Sequence, residues 1–425
     1  MSNKGLGVIK TVGIVLLLVA LLPPVTSQGT AAQEQVRITA PQQQGMYVYT
    51  NNDNDSNNGG GPNSVTAFSV GASGALTKIG EYNTLGQGYG GGYFGASRIV
   101  VCAASNRLYV TNDWSNDITG FNINPATGGL SIVLGSPFAS GVPYVGLAAM
   151  GISLACTPDG KFLMVGNAGN LAAHSIAPNG SLTPVPGSPF GWFYAKILGM
   201  KVPADGKYLF VGSAPGFQMF SIAADGALTF LGKSSATGGI GVDINRAGTL
   251  GYGTISHTAN TQVAGCSIGT NGIPSLLPGS PFTGSGGSEA DSSVVLLSAD
   301  ERFLFVSNSG SSLYPPLYTM TVFAVDGAGS LTQSSTVAYQ SGHDGRQIGL
   351  ATNTAGTLLF AAELSRETVG NAVGVYNVAA NGVLTEVAGS PFPTGVTSLS
   401  GLESLAVYDP SPRRTNSWLP IILRN

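Results

Sequence analysis

Four stretches decide how this chain is read: LSIVLGSPF at residues 130–138, LTPVPGSPF at 182–190, PSLLPGSPF at 274–282 and LTEVAGSPF at 384–392. Each joins a short β-like run to the same Gly-Ser-Pro-Phe tetrapeptide, so the chain is internally repetitive. Three weaker copies fall in the gaps: GALTKIGEY around Leu76, GALTFLGKS around Leu228 and GSLTQSSTV around Leu331. Aligned on the Leu of the Leu-Thr pair, the marks are Leu76, Leu130, Leu182, Leu228, Pro274, Leu331 and Leu384, at intervals of 54, 52, 46, 46, 57 and 53 residues. A period near 50 suits propeller blades and exceeds that of most helical solenoids.

Working outward, each period holds further β-like runs. An aromatic run (MYVYT from Met46, RLYVTN from Arg107, RFLFVSN from Arg302) is followed by an alternating run such as SVTAFSV or DITGFNI, and then by the Leu-Thr run. Later periods add an apolar run ahead of the aromatic one, as in SRIVVCAAS and GISLACTPDG. Asp-Gly and Asn-Gly pairs, among them Asp159-Gly160 and Asn179-Gly180, punctuate the runs and suit tight hairpins. Each unit thus reads as a four-stranded antiparallel meander. Such a small sheet cannot bury both faces alone, so neighbouring units must stack on it. The chain opens at Met46 with no inner strand ahead of it and ends with a surplus one, LESLAVYD at 402–409. The expected fold is therefore all-β: a seven-bladed β-propeller over residues 45–409, closed by a C-terminal strand that completes the first blade.

Composition agrees. Charged residues make up only 9% of the 425, against about 25% in an ordinary soluble domain. Gly (62) and Pro (24) are abundant, while 43% hydrophobic residues supply a core. These values exclude coiled coils, charged bundles and disordered tails. A net charge of −3 without clustered Lys and Arg speaks against nucleic-acid binding.

The start of the chain reads as an export signal: Lys4 and Lys10, an apolar run from Val12 to Leu22, then Pro23-Pro24 and the small residues Val25-Thr26-Ser27. The run is shorter than the ~20 residues of a membrane span. The organisation expected is a signal peptide over 1–27, a linker over 28–44, the propeller, and a tail over 410–425. The product is expected to be secreted, periplasmic or on the cell surface, and monomeric. Cys102, Cys156 and Cys266 lie in apolar strand-like runs without a CxxC pair and read as small buried hydrophobes. His174, His257 and His343 show no metal-ligand spacing, and no cofactor motif is present. Asp53 to Gly59 resembles a calcium loop, but its Gly falls one place late and Ser64 stands at position twelve, so it reads as a hairpin loop.

TNDWSNDITGFNI followed by GGLSIVLGSPF, together with SADERFLFVSNSG, resembles the YVTN-type repeats of the seven-bladed lactonase propeller family. That family includes 6-phosphogluconolactonase and a carboxymuconate-lactonising enzyme. The resemblance covers about residues 45–409. It implies a site at the channel mouth built from His, Arg and Glu at the starts of inner strands, with an Arg-His doublet. This chain departs from that pattern: Gly239 and Ile240 stand at the doublet, Val294 at the Glu and Ser309 at a common Arg. His343 and Arg346 come nearest to equivalent places.

Charge is scarce, so polar residues expected at the mouth stand out. The candidate catalytic residues are Glu289 or Asp291 as base, Arg346 as oxyanion stabiliser and His343 assisting. Arg98, Lys196, Asp344 and Glu403 are candidate ligand-binding residues, with Lys201 beside them. Trp114, Trp192 and Tyr194 could stack on sugars. Two functions fit: an exported module binding an extracellular protein or glycan, or a hydrolase of a small lactone-like ligand.

Overall fold

The computed structural model describes residues 45–53, 60–89, 97–143, 152–167, 169–192, 197–213, 216–234, 241–255, 261–285, 290–310, 319–338, 346–364, 371–396 and 404–411. They form seven antiparallel sheets and one 3-10 turn, Ala103–Ser105. No helix among them is long and apolar enough to cross a membrane.

Closure takes the expected form. Ser404–Tyr408 pairs antiparallel with Tyr47–Asn51, Tyr47 opposite Tyr408 and Asn51 opposite Ser404. It is the innermost strand of blade 1, followed outward by Tyr47–Asn51, Gly61–Val70 and Leu76–Gly88. The other inner strands are Ile99–Cys102, Ser153–Cys156, Ile197–Lys201, Val242–Ile244, Ala290–Leu297 and Arg346–Thr352, in blades 2 to 7. All seven repeat marks, Leu76 to Leu384, are the first residues of outer strands.

The core is distributed between blades. Seven hydrophobic clusters lie one at each junction, including a cluster of Val48, Phe68 and Leu405 from blade 1 with Phe360 and Val373 from blade 7. An open stack of seven sheets would have six such junctions; the seventh makes the ring. Gly349 of blade 7 lets the closing strand approach, since a Cβ there would lie 2.9 Å from the Cα of Ser404. Tyrosines stitch neighbours together: Tyr49, Tyr109 and Tyr252 donate their hydroxyls to the carbonyls of Gly128, Gly180 and Gly329 in the next blade. Those three glycines have φ of 70°, 88° and 87°, a conformation glycine adopts at no steric cost.

The cysteines require a correction. Cys102 and Cys156 are not separate small hydrophobes; they form a disulfide across the inner strands of blades 2 and 3. Their separation of 54 residues is one repeat period, which places both at the same point of consecutive inner strands. Cys266 is free and buried, and burial pushes its thiol up to about 12.

Candidate functional site

The inner strands run side by side around the channel, so whatever precedes their first residues gathers at one end. The clearest built feature there is Arg98, immediately before the inner strand of blade 2. Thr111 donates its backbone N–H to the Arg98 carbonyl (3.0 Å), and the Arg98 N–H donates to Ser404 Oγ (3.1 Å). The side chain is fully buried. Its Nη1 lies 3.0 Å from Asp53 Oδ2 and 2.6 Å from Asp113 Oδ2. Each carboxylate is tied further: Asp53 accepts from the Tyr89 N–H (3.0 Å) and Asp113 from the Ile152 N–H (3.1 Å). Asp53, Arg98, Asp113 and Ile152 thus connect blades 1, 2 and 3. A buried ion triad of this kind is strongly disrupted by loss of one member. Arg98 therefore braces the mouth, with its charge already met by two carboxylates.

Sequence reading missed these partners. Asp53 and Asp113 occupy equivalent places, each following an Asn at the end of a second strand, and that repeated Asn-Asp was the available signal. The two asparagines do the same work: Asn52 Nδ2 donates to Thr66 Oγ1 (3.0 Å) and Asn112 Nδ2 to Thr119 Oγ1 (2.9 Å). Blade 6 repeats the contact between Asn308 and Thr321 (3.0 Å). In blade 7 the equivalent residue is Glu363, and Gly374, two residues beyond its pairing partner Ala372, leaves room, since a Cβ there would collide with the carboxylate. Asn63 Nδ2 reaches the Thr111 carbonyl (3.1 Å) and Asn112 Oδ1 (3.0 Å), joining blades 1 and 2 through buried amides. Asp117 accepts from Asn112 Nδ2 (2.6 Å); desolvation raises its pKa, and the hydrogen bonds from Asn112 and Ser115 oppose that rise. Tyr89 and Trp114 stack beside this network, centroids 6.1 Å apart at 11°.

Other candidates distribute as follows. Asp291 lies near the start of the blade 6 inner strand, opposite Ser309, and Arg346 begins the blade 7 inner strand, opposite Leu364. Glu289, His343, Asp344, Lys196 and Glu403 lie outside the described residues, as do Tyr194 and His257. Lys201 closes its strand and so sits at the end away from the mouth, 3.9 Å from Asp243. Asp243 in turn accepts from the Leu297 N–H of blade 6 (2.8 Å). His174 is buried in the third strand of blade 3. Of the calcium-like stretch, Asp53 is described, and its carboxylate serves Arg98 and Tyr89. Among the described residues no three His, Cys, Asp or Glu side chains gather so as to hold a metal ion.

No family model matches the chain, and no curated protein matches it in sequence. Solved structures match it in fold. A candidate 6-phosphogluconolactonase from Bacteroides fragilis superposes with a TM-score of 0.61 at 17% identity, over 87% of this chain and 99% of that one. A candidate 6-phosphogluconolactonase from Bacteroides uniformis gives 0.60 at 16%, over 83% and 97%. The periplasmic gluconolactonase of Pseudomonas aeruginosa gives 0.59 at 18%, over 82% and 98%. At such identities the likeness establishes a shared seven-bladed propeller fold.

Proposed function

We propose that this chain is an exported propeller that opens a small lactone at the channel mouth. The observation that carries the reading is the placement of Asp291 and Arg346 at the starts of inner strands in adjacent blades, at the end braced by Arg98. The carboxylate of Asp291, or of Glu289, takes a proton from water as the oxygen attacks the lactone carbonyl. Arg346 meets the developing oxyanion, and His343 assists. Collapse breaks the ring C–O bond, the ring oxygen takes up the proton, and a hydroxy acid leaves. The gluconolactonase and 6-phosphogluconolactonase names of the fold neighbours support this substrate class.

Export rests on the basic-apolar start of the chain and on the Cys102–Cys156 bridge, because disulfides persist in oxidising compartments. It favours a non-phosphorylated lactone. The test is turnover of a panel of sugar and aromatic lactones by the purified chain, read as acid release. Asp291→Asn and Arg346→Gln should each lower kcat/KM by ~100-fold or more. An inert wild-type protein across the panel sinks the reading.

A second reading, a module binding a glycan or extracellular protein, draws on Arg98, whose charge is met internally and is not presented to a reacting oxygen. A glycan array and pull-down that recover a specific partner, unaffected by Asp291→Asn, would favour it.

A further inference from the structure

At the end of the propeller away from the mouth, the turns linking first and second strands of blades 5, 6 and 7 enclose a cleft of about 340 Å³. That is at the small end of ligand-site volumes. Its lining includes the small residues Ala299, Ala355 and Gly356, together with Arg246 and Arg302. The two arginines differ. Arg302 is held by Asp300, with Nε and Nη2 both 2.7 Å from Oδ2, and lies over the Phe303 ring at 5.3 Å. Arg246 makes no ion pair among the described residues, and it too lines the cleft. Its backbone is fixed instead, because the Arg246 N–H donates to Glu301 Oε1 at 2.6 Å.

Glu301 is itself an exception. The equivalent turn position is left-handed in five other blades and is occupied there by Asn106, Gly160, Gly206, Gly248 and Gly356. Blade 6 puts a glutamate there at φ 61°, a conformation disfavoured for a residue with a Cβ. That strained residue clamps the Arg246 turn from the neighbouring blade. Hydroxyls complete the lining: Thr357 accepts from Asn353 Nδ2 (3.0 Å) and keeps its own proton to donate.

We infer that this cleft is a second binding site, separate from the channel mouth, for a small polyhydroxylated carboxylate. Arg246 meets the carboxylate through its planar fork, and the Thr357 hydroxyl donates to one of the ligand's own. One guanidinium without an ion pair among the described residues, in a lining that also holds the carboxylate of Asp300, suits a monoanion better than a phosphate dianion. The site stands independently of lactone turnover, although the ligand class is the kind of product that lactone opening releases.

Calorimetric titration of the full chain with sodium gluconate, at fixed ionic strength, is the test; glucose and inorganic phosphate are the comparison arms. Saturable gluconate binding is expected, at least tenfold weaker in Arg246→Gln and abolished by Ala380→Phe, which fills the cleft. Glucose should bind at least tenfold more weakly than gluconate. Arg346→Gln, at the mouth, should leave this binding unchanged, and Arg246→Gln should leave any lactone turnover unchanged. Absence of gluconate binding, equal affinity in Arg246→Gln, or loss of binding in Arg346→Gln overturns the inference. Phosphate binding as tight as gluconate overturns the carboxylate assignment.

Discussion

Blades 2, 3, 5 and 7 carry the Gly-Ser-Pro-Phe corner; blades 1, 4 and 6 do not, and the difference lies in one position of the sheet. In the corner blades the outer strand stops after three residues, turns through a cis Ser-Pro bond, and pairs again further along the third strand. In blades 1, 4 and 6 it runs on unbroken through a bulge, between Ala67 and Phe68, Met219 and Phe220, or Val322 and Phe323. Register makes these places equivalent. Where the bulge would fall, the corner captures both polar groups of one third-strand residue. Gly120 donates its N–H to Ser136 Oγ (3.0 Å), and its carbonyl accepts from Val133 (2.8 Å). Ser188, Ser280 and Ser390 accept in the same way from Ala173, Gly265 and Val375. The regular ladder is interrupted at this point in every blade, by a one-residue bulge in three and in four by a corner whose serine hydroxyl satisfies the third-strand backbone left behind.

Each letter of the motif has a part. The glycines have φ between 83° and 93°, and the Phe ring lies against the Gly in all four corners. Removing that ring should therefore separate the two blade types most. Phe282→Ala, at a corner position 9% exposed and packed on Gly265, should cost about 3 kcal/mol. Phe230→Ala, on the continuous edge of blade 4 and 45% exposed, should cost less than about 1 kcal/mol. Chemical denaturation of both variants checks this; equal losses would break the comparison. The hydroxyl comes next. Ser280→Ala strands the Gly265 N–H and should cost about 1 kcal/mol, whereas Ser335→Ala in blade 6, whose hydroxyl is buried without a partner, should be neutral or slightly stabilising.

A smaller effect concerns pH. His174 sits in a corner blade beside Gly141, and desolvation lowers its pKa below 6.5; the Ala139 backbone contact that opposes this falls short of a hydrogen bond. The unfolded chain thus binds the proton more readily than the folded one. The stability contributed by neutral His174 is present above about pH 6.5 and is lost as pH falls, by at most about 1.4 kcal/mol per unit. Melting curves between pH 7 and 5 should show a shallower decline in His174→Gln; an unchanged slope would remove His174 as the cause.

The fold was legible because the repeat marks coincide with strand starts and because the missing inner strand at Met46 matched the surplus one at Leu402. The corner was visible as a motif, but its role was not, since Ser136 acts on Gly120 across a register that only the folded sheet defines. The disulfide was missed for a similar reason. Cys102 and Cys156 look isolated along the chain and meet only when consecutive inner strands stand side by side. Arg98 was placed correctly before its strand, but its two carboxylate partners arrive from second strands of different blades. Charge scarcity therefore located the residue without revealing its neutralisation.

Hydrogen exchange at the closing sheet tests the ring itself. If Ser404–Tyr408 zips onto Tyr47–Asn51, amides in both strands should exchange slowly and at matching rates. Truncation after residue 402 should then expose those amides of 47–51 that bond the closing strand, while the alternate ones, bonded to 65–69, stay protected. Rapid exchange across 404–408 in the intact chain, or unchanged protection of every amide at 47–51 after truncation, would contradict a propeller closed by its own C-terminal strand.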